Sequence, residues 1–455
     1  MADIPRRAAL NVLLAEGSAR MDDLISAQCS RYGLSGRDRA FAAELCHGAG
    51  RHRRALDYLI SLGAGRATDK MDKPVLAILR MGLYQAAGME GARHAAVNEA
   101  VELAKSGKTT RRAAGFVNAA LRGILRLLDA EGLAEAPIHQ AVGRLVAKTD
   151  LPFHVKLGIQ YSFPDWWAAR WNRQFGADLA GEIMARCQSK SPAFIRPNLA
   201  KFTAAEVERR LAGGGIVVEP FELADGLFRI ADGVLPPDSP LISEGVVQPQ
   251  DGASFLAATL LEPSAGSLVA DVCCGKGIKT GYFASRAGRV ICFDANARSL
   301  AALKKNMARQ GFENAFPVLA DMSAQWPVKR KFSAIFLDAP CSGSGLAKRH
   351  PEGKWSKSEE LISKMSQLQE RMLGRAADAL AAGGRLVYAI CSVEPEEGPA
   401  NVEKLLARDR SLRIIPPAEV NPRLSEYSTS SGGLLITPGT LGMDGFFVAA
   451  LERAG

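Results

Sequence analysis

The chain has no apolar run that approaches the roughly 18 residues a membrane-spanning helix needs. Near the N-terminus a short apolar stretch is followed by Glu16, so the hydrophobic centre of a signal peptide is missing as well. These absences predict a cytoplasmic protein that makes no contact with a membrane.

Cysteine and histidine are scarce in this sequence. The eight cysteines form no C-x-x-C pair, and the six histidines are scattered along the 455 residues. Cysteines this sparse exclude a disulfide-stapled scaffold, and the lack of paired ligands argues against a zinc site. We therefore expect reduced cysteines and no bound metal.

The remaining composition is that of a globular protein, with 47% hydrophobic and 23% charged residues. It excludes a fibrous or disordered chain, and the length predicts roughly two to four domains. The formal net charge is +9, of which +6 lies in the first 150 residues. A positive field of this kind suits a polyanion such as nucleic acid, although solubility alone would also account for it.

The first 130 residues or so predict an all-α bundle. Apolar residues recur at helical spacing in pairs such as Val97/Val101 and Phe116/Ala120. Pro74 begins a further apolar helix, at the first-turn position that proline favours.

Two smaller features follow this helical region. The segment WWAARWNRQF combines tryptophan with arginine, which can stack on nucleic-acid bases but more often packs in a core. Beyond Ser191, the strands AFIRPNL and IVVEPF flank a short helix with a capping box at Thr203 and Glu206. This order predicts a small β-α-β unit.

Strands and helices alternate from about residue 240. Helical patterns separate the β-rich runs SLVADVCC, RVICFDAN, FSAIFLDAP and GRLVYAICS, which predicts a doubly wound parallel α/β sheet. Its ligand should bind beyond the carboxyl ends of the strands. We therefore expect a helical domain over 1–135, linker helices with a small subdomain over 145–240, and an α/β domain over 241–455.

Acidic residues follow successive strands of this predicted sheet. The glycine-bearing turn after the first strand matches neither the dinucleotide fingerprint nor the P-loop. Asp294 ends the second strand, where a carboxylate can bind ribose hydroxyls, and Asp321 follows the third, where it can meet an adenine amino group. The series favours S-adenosylmethionine over NAD, although any single Asp could cap a turn.

Two cysteines follow the next two strands. Cys341 lies in D-A-P-C-S-G, three residues after Asp338, and Cys391 lies in Y-A-I-C-S. A lone cysteine is usually a small core residue. Two at the ligand-facing ends of a parallel sheet instead indicate chemistry.

The two cysteine motifs together resemble the double-cysteine signature of RNA cytosine carbon-5 methyltransferases, and their order is similar to the Sun/Fmu/RsmB branch, which modifies small-subunit ribosomal RNA. The resemblance extends over nearly the whole chain. The segments DRAFAAELCHGAGRHRRALD, ILRMGLYQ, AAVNEAVELAK and FVNAALR resemble the NusB-like helical RNA-binding domain of that branch. The segments YSFPDWW, QPQDGAS, KRHPEGKW and DGFF resemble its later parts.

This resemblance implies a multidomain protein. An all-α NusB-like bundle would precede a small βαβ subdomain and a Rossmann-like class I methyltransferase domain. It also implies S-adenosylmethionine as cofactor and methyl transfer to carbon 5 of a cytosine in RNA, above all 16S rRNA. We expect a monomer whose basic residues Arg51, Arg53 and Arg54 contribute to the RNA surface.

The residues that the family uses carry over position by position. Cys391 would be the nucleophile, Cys341 would assist release of the product, and Asp338 would border both cytosine and cofactor. The cofactor would be held by Asp294 at the ribose, by Asp321 at the adenine and, along its methionine part, by Cys273, Cys274, Gly275, Lys276, Gly277, Ile278 and Lys279.

The sequence departs from the family pattern at two points. The usual D-x-C-A-A-P-G-G-K-T contains Cys274-Gly-Lys-Gly-Ile278 here, which adds a charge and a β-branched residue and bears on cofactor affinity. The usual threonine before the nucleophile is Ile390, which removes a hydroxyl.

Thiol chemistry explains why such an enzyme needs these groups. A thiolate that adds to carbon 6 of cytosine makes carbon 5 able to accept a methyl group, and a base must then remove the proton at carbon 5. Cys341 as a thiolate is the candidate base. Asp338 would bind the base edge, and Lys279 could orient the loop or the cofactor carboxylate.

Other functions remain open from the sequence. The same reaction could act on transfer RNA. The altered loop over 274–278 would suit a non-catalytic RNA-binding assembly factor, although the intact cysteines and acids oppose this. An NAD-dependent dehydrogenase on the same fold is a more distant alternative.

Overall fold

The computed structural model describes residues 3–17, 19–324, 326–327 and 329–455. Contacts divide the chain into two compact units. One is helical and contains the chain up to Lys190 together with Ala347–Ser356, and the other contains Ser191–Leu346 and Lys357–Gly455. No helix of the described ranges is both long and apolar enough to cross a membrane.

The helical unit confirms the predicted all-α bundle. Proline stands in the first turn of its first and fifth helices, and Gly33 ends the second in the left-handed conformation that glycine tolerates. Short 3₁₀ turns lie at Thr68–Lys70, Arg111–Ala113 and Pro351–Ser356. The α-helices are α1 (Ile4–Leu14), α2 (Met21–Tyr32), α3 (Gly36–Arg51), α4 (Arg53–Ala64), α5 (Lys73–Gly88), α6 (Arg93–Ser106), α7 (Ala114–Ala130), α8 (Ile138–Ala147), α9 (Phe153–Gln160), α10 (Asp165–Phe175) and α11 (Ala177–Arg186).

The tryptophan-rich segment forms α10 and packs inward. Trp167 and Trp171 are fully buried, and both rings lie within 5.6 Å of the Phe163 ring, measured between centroids. Each buried indole removes a large apolar area from water, so these residues stabilise the helical core. The packing interpretation of this segment is therefore the correct one, and stacking on bases is not available to these two rings.

The second unit begins with a small four-stranded sheet. Thr203 and Glu206 form the expected capping box at its helix. β1 and β2 each pair antiparallel with β3 and therefore run parallel to each other, in the sheet order β2-β3-β1-β4. The expected β-α-β unit is thus present, with β3 inserted between its two strands. The elements are β1 (Phe194–Pro197), α12 (Ala204–Gly213), β2 (Val217–Pro220), β3 (Phe228–Asp232), α13 (Pro240–Ser243) and β4 (Val247–Pro249).

A larger sheet follows in the same unit, in the order β10-β12-β9-β8-β5-β6-β7, with β11 also paired to β12. Its strands are β5 (Leu268–Val272), β6 (Arg289–Asp294), β7 (Ala315–Leu319), β8 (Phe332–Asp338), β9 (Leu380–Ile390), β10 (Leu412–Ile415), β11 (Leu434–Ile436) and β12 (Phe446–Arg453). Its helices are α14 (Gly252–Thr259), α15 (Thr280–Ala284), α16 (Ala297–Gln310), α17 (Glu359–Ala379), α18 (Pro399–Arg408) and α19 (Pro417–Val420), with 3₁₀ turns at Ser344–Leu346, Pro422–Tyr427 and Thr440–Gly442.

The strands β5 to β9 pair in parallel, as the sequence predicts, whereas β10, β11 and β12 pair antiparallel. The sheet is therefore mixed rather than wholly parallel. Residues that alternate along the strands are buried on both faces, which produces two hydrophobic clusters. The chain runs from β5 outward to β7 and returns to β8 on the other side of β5, so the topological switch point lies between β5 and β8.

Candidate active site

The loop that follows β5 is held open by two hydrogen bonds to carboxylates. The backbone amide of Gly275 donates to Asp294 Oδ2 at 2.9 Å, and the Thr280 hydroxyl donates to Asp271 Oδ2 at 2.5 Å. Gly275 and Gly277 both have positive φ, and a Cβ on Gly277 would lie 2.9 Å from Leu303 Cγ. Position 277 therefore needs glycine for two reasons: its φ is positive, and a Cβ there would be too close to Leu303.

Other residues of this loop are fixed through their backbone. The carbonyl of Ile278 accepts from Arg196 of the small sheet at 3.2 Å, and the carbonyl of Lys276 accepts from Asn306. Lys276 itself is exposed. Cys273 adopts a positive φ of 62°, which is uncommon for a residue with a Cβ. Strain at this position is typical of a turn that serves a ligand.

Asp271 is a buried acid that the strand-end pattern did not single out. Burial raises its pKa to about 7, and the hydrogen bond from Thr280 and the charge of Lys279 counter only part of this shift. The signal was present in the sequence, because an acid within an otherwise apolar strand must be bonded when buried. Its side chain accepts the hydrogen bond that fixes Thr280 at the start of α15, and so it anchors the end of the loop that follows β5.

Asp294 and Asp321, the two other acids that follow strands, lie at the same carboxyl edge of the sheet. Asp294 is half-buried and also accepts from the backbone amide of Asn296 at 2.7 Å. Asp321 is exposed, and its Oδ1 accepts from the amide and the hydroxyl of Ser323, which lowers its pKa. Asp321 thus caps a turn with one oxygen and leaves the other for a ligand.

Lys279 and Asp338 form an ion pair across the switch point, with Nζ 2.7 Å from Oδ2. The Lys279 side chain is 13% exposed, so it is not a surface residue. Burial alone would lower its pKa, but the charges of Asp338 and Asp271 raise it overall. Lys279 therefore stays protonated, and it also lies over the rings of Phe336 and Phe446.

The two cysteines of the double motif meet at the ends of β8 and β9. Their Sγ atoms are 3.0 Å apart, close enough for a thiol hydrogen bond. This hydrogen bond and burial raise the pKa of Cys341 well above its ordinary value. Cys341 thus keeps its proton and can donate it in a hydrogen bond to the Cys391 sulfur.

A buried carboxylate joins the two cysteine loops. Glu397 is fully buried and accepts hydrogen bonds from the Ser342 amide and hydroxyl, from the Ser392 hydroxyl and from Gln369 Nε2. Ser342 and Ser392 are the residues directly after the two cysteines. Sequence reasoning missed Glu397, because the spacing of 55 residues from Ser342 gives no local signal.

Ile390 occupies the position where the family pattern has threonine. Its side chain is fully buried in the hydrophobic cluster on one face of the sheet, and it pairs with Phe447 of β12. An apolar residue is suited to this environment, because a hydroxyl there would need a partner.

The arginine cluster of the helical unit is not an open surface. Arg51 is 7% exposed, Arg53 lies near Glu16 and over the Trp355 ring, and Arg54 pairs with Asp165 at 2.7 Å. These three residues therefore form no fully solvated patch, and their contribution to the RNA surface stays a prediction. Arg53 and Arg54 interact with carboxylates or an aromatic ring of the same unit, and Arg51 is buried.

The strand-end geometry fits S-adenosylmethionine. Among the described residues other than its chain neighbours, none has an atom within 4 Å of a Cβ built on Gly275, so the loop leaves open space beside its backbone. The half-buried carboxylate of Asp294 keeps lone pairs for ribose hydroxyls, and Asp321 keeps one free oxygen. The fold and the site together define a Rossmann-like methyltransferase.

Comparisons with known proteins identify the family. Three family models match the chain: NusB over residues 4–126, the ferredoxin-like domain of RsmF/B-like methyltransferases over 163–234, and the 16S rRNA methyltransferase RsmB/F model over 258–452. The chain belongs to the RsmB/F methyltransferase family. It is an RNA methyltransferase whose methyl donor is S-adenosylmethionine, with a NusB-like helical region before its catalytic domain.

Similar proteins span nearly the same length. The ribosomal RNA small subunit methyltransferase B of Vibrio cholerae is 31% identical, covering 92% of this chain and 90% of its own. The protein of that name from Thermus thermophilus is 32% identical, covering 99% and 98%. The crystal structure of a methyltransferase homologue from Pyrococcus horikoshii, 23% identical, aligns over 67% of this chain and 99% of its own with a TM-score of 0.59, which supports the fold.

Proposed function

We propose that this protein transfers a methyl group to carbon 5 of a cytosine in small-subunit rRNA, through a covalent adduct between Cys391 and the base. One observation carries the proposal: two thiols 3.0 Å apart, at the ends of adjacent parallel strands. The names of the relatives, ribosomal RNA small subunit methyltransferase B, support the choice of substrate.

In this mechanism, Cys391 attacks carbon 6 of the cytosine. The neighbouring thiol of Cys341 stabilises the sulfur of Cys391 by hydrogen bonding before attack. S-adenosylmethionine supplies the electrophilic methyl group that carbon 5 then accepts. The bond from sulfur to carbon 6 forms in the first step and breaks in the last, so Cys391 is regenerated.

The ion pair of Asp338 and Lys279 orients the base and the loop. Asp338 is 30% exposed and lies at the end of β8, where a carboxyl can meet the amino edge of cytosine. Lys279 neutralises Asp338 and limits the negative charge around the two sulfurs. The position of Lys279, at the end of the loop and directly before α15, brings its Nζ to Asp338.

Removal of the carbon 5 proton needs a base, and Cys341 is our candidate. Its raised pKa keeps it protonated before attack, but it makes the thiolate, once formed, a stronger base. When Cys391 is bonded to carbon, the hydrogen bond that holds the Cys341 proton is weakened. Cys341 then gives that proton to water and, as a thiolate, accepts the one from carbon 5. The electron pair of the carbon–hydrogen bond restores the double bond between carbons 5 and 6 as the bond to the Cys391 sulfur breaks.

We also infer the division of labour along the chain. The helical domain predicted over 1–135 would bind RNA, the segment over 145–240 would connect it, and residues 241–455 would carry the reaction. The match of the NusB family model to residues 4–126 supports the first assignment. A monomer is sufficient for the proposed reaction, because one unit of the chain contains both cysteines and the cofactor residues.

The proposal is tested by identifying the methylated nucleoside. Protein-free small-subunit rRNA and bulk transfer RNA are incubated separately with the protein and labelled S-adenosylmethionine, then digested and analysed by mass spectrometry. We expect 5-methylcytosine from the rRNA alone. Label at another atom would contradict the chemistry, label in transfer RNA alone would contradict the substrate, and no transfer to either RNA would favour an assembly factor.

A further inference from the structure

A cavity of about 580 Å³ lies within the helical unit, and no residue of the candidate active site lines it. Its walls come from the end of α3, from α5 and from the start of α8. A volume of this size lies in the range of small-molecule sites in proteins. The basic residues of its lining are Arg51, His52, His139 and Lys190.

Two of these basic side chains are enclosed without full hydrogen bonding. Arg51 is 7% exposed and its Nε has no hydrogen-bond partner in the described part of the chain. His52 is 8% exposed and its Nδ1 likewise has none among those residues. Buried donors are nearly always paired, so the unpaired N–H of Arg51 Nε in the cavity wall indicates a missing acceptor.

A second buried basic residue lies beside Arg51. Buried Lys354 donates from Nζ to the Arg51 carbonyl at 3.1 Å. Burial, together with the charges of Arg51 and Lys354, holds the pKa of His52 well below its ordinary value. Burial also lowers the pKa of Lys354 to about 7, and the charge of Arg51 contributes. Burial is the larger cause of both shifts, and the charge of Arg51 adds to each in the direction that a bound anion would reverse.

The nearest carboxylate in the wall is already engaged. Glu44 accepts from Lys190 Nζ at 2.7 Å and from the Tyr84 hydroxyl at 2.6 Å. The other two acids of the lining, Glu90 and Glu135, are exposed. Their presence disfavours a ligand of high negative charge, so one phosphate group suits this cavity better than a chain of phosphates.

The start of α8 adds donors to the same cavity. Ile138 and His139, the first two helical residues, both line it, and no side chain caps this helix at Pro137. The first backbone amides of a helix bind anions, because they have no acceptor within the helix and carry the positive end of its dipole. Arg51 and the α8 terminus therefore act on the same ligand.

We propose that this cavity binds a single phosphate group, held by the guanidinium of Arg51 and the first amides of α8. The phosphate belongs to a free nucleotide or to the end of an RNA chain, which present the same monoester. The proposal does not depend on the methylation chemistry, since it uses no residue of the catalytic domain.

The test is calorimetric titration of the full-length protein with inorganic phosphate, adenosine monophosphate and a 5′-phosphorylated RNA oligomer. We expect saturable binding of phosphate, and binding at least roughly tenfold weaker to Arg51→Met, because that variant loses a charge-assisted hydrogen bond to the phosphate. Lys105→Met, at an exposed residue paired with Glu102 on α6, should bind phosphate as the wild type does. His52→Gln provides a second variant should Arg51→Met fail to fold by circular dichroism.

The two sources separate in the same experiment. Tighter binding of the phosphorylated RNA than of its dephosphorylated form, lost in Arg51→Met, assigns an RNA end. Equal affinity for both RNAs, together with binding of adenosine monophosphate, assigns a free nucleotide. No saturable phosphate binding by the wild type, or binding that neither Arg51→Met nor His52→Gln changes, would overturn the proposal.

Discussion

The two pairs of cysteines in the larger sheet differ in what surrounds them. Cys273 and Cys274 are consecutive, and they pack against the hydrophobic clusters on opposite faces of the sheet. Burial and nearby carboxylates raise the pKa of both thiols. Cys341 and Cys391 are 50 residues apart in sequence, yet their sulfurs are in hydrogen-bond contact.

This comparison shows that position at a strand end does not by itself make a cysteine reactive. All four thiols are half-buried at the same edge of the sheet. Only in the second pair does one thiol lie where it can share a proton with the other. Cys273 and Cys274 thus serve as small residues that line the loop, which is the common role of a buried free cysteine.

Replacing Cys391 should have the largest effect of any single change. Cys391→Ala removes the nucleophile, so methyl transfer should fall by roughly 10⁴-fold or more, measured as label incorporated into rRNA. Cys273→Ala and Cys274→Ala are matched controls at the same edge, and we expect each to keep activity within about tenfold. An equal loss of methyl transfer in all three variants would show that the two pairs of cysteines do not differ in function.

Asp338→Asn should have the next largest effect. It leaves Lys279 buried without its counter-charge, and it removes the acceptor at the base edge. We expect roughly a 100-fold loss of kcat and about 2 kcal/mol of stability by urea denaturation. Asp321→Asn, at an exposed turn, should leave stability within about 0.5 kcal/mol. A similar stability in both variants would show that the ion pair has no structural role.

Glu397→Gln tests whether the residues that hold the two cysteine loops together matter as well as the thiols. A glutamine offers one acceptor oxygen, so two of the four donors around position 397 lose their partner. We expect a loss of about 3 kcal/mol in stability and roughly a tenfold fall in kcat. Exposed Glu396→Gln is the control. Unchanged kcat at position 397 would mean that the cysteine loops are aligned without it.

The last prediction concerns stability alone, as a pH dependence at Asp271. The pKa of this acid is raised to about 7 from 3.8, so the folded protein holds its proton more tightly than the unfolded chain. Its contribution to stability is therefore complete below about pH 4 and is lost as the pH rises toward 7. Asp271→Asn cannot titrate, so its stability should fall less over this range in urea denaturation. Parallel profiles for the two proteins would refute the shift.

The local elements were predictable because their signals are local. Alternating apolar residues located β5, β6, β8 and β9, and the capping box at Thr203 located α12. The antiparallel return of β12 to β9 was not predicted, because pairing between distant strands has no periodic signature in either strand. The insertion of β3 between β1 and β2 in the small sheet was not predicted for the same reason.

The site was predictable in its residues but not in its contacts. Motif order pointed to Cys341, Cys391 and Asp338 at neighbouring strand ends, and the sheet brings them to one edge. The ion pair of Lys279 with Asp338 and the hydrogen bonds of Glu397 depend on three-dimensional placement. The enclosure of Arg51 was not predictable for a related reason, because charge in sequence does not report whether a side chain is buried.

The central claim, that Cys391 and not Cys341 bonds to the base, is tested most directly by trapping the adduct. Cys341→Ala is incubated with S-adenosylmethionine and substrate RNA, and the cross-linked peptide is identified by mass spectrometry after digestion. We predict an adduct on Cys391 that persists because release is slow, and that is absent from the Cys341→Ala/Cys391→Ala double variant. An adduct on Cys391→Ala through Cys341 would contradict the account.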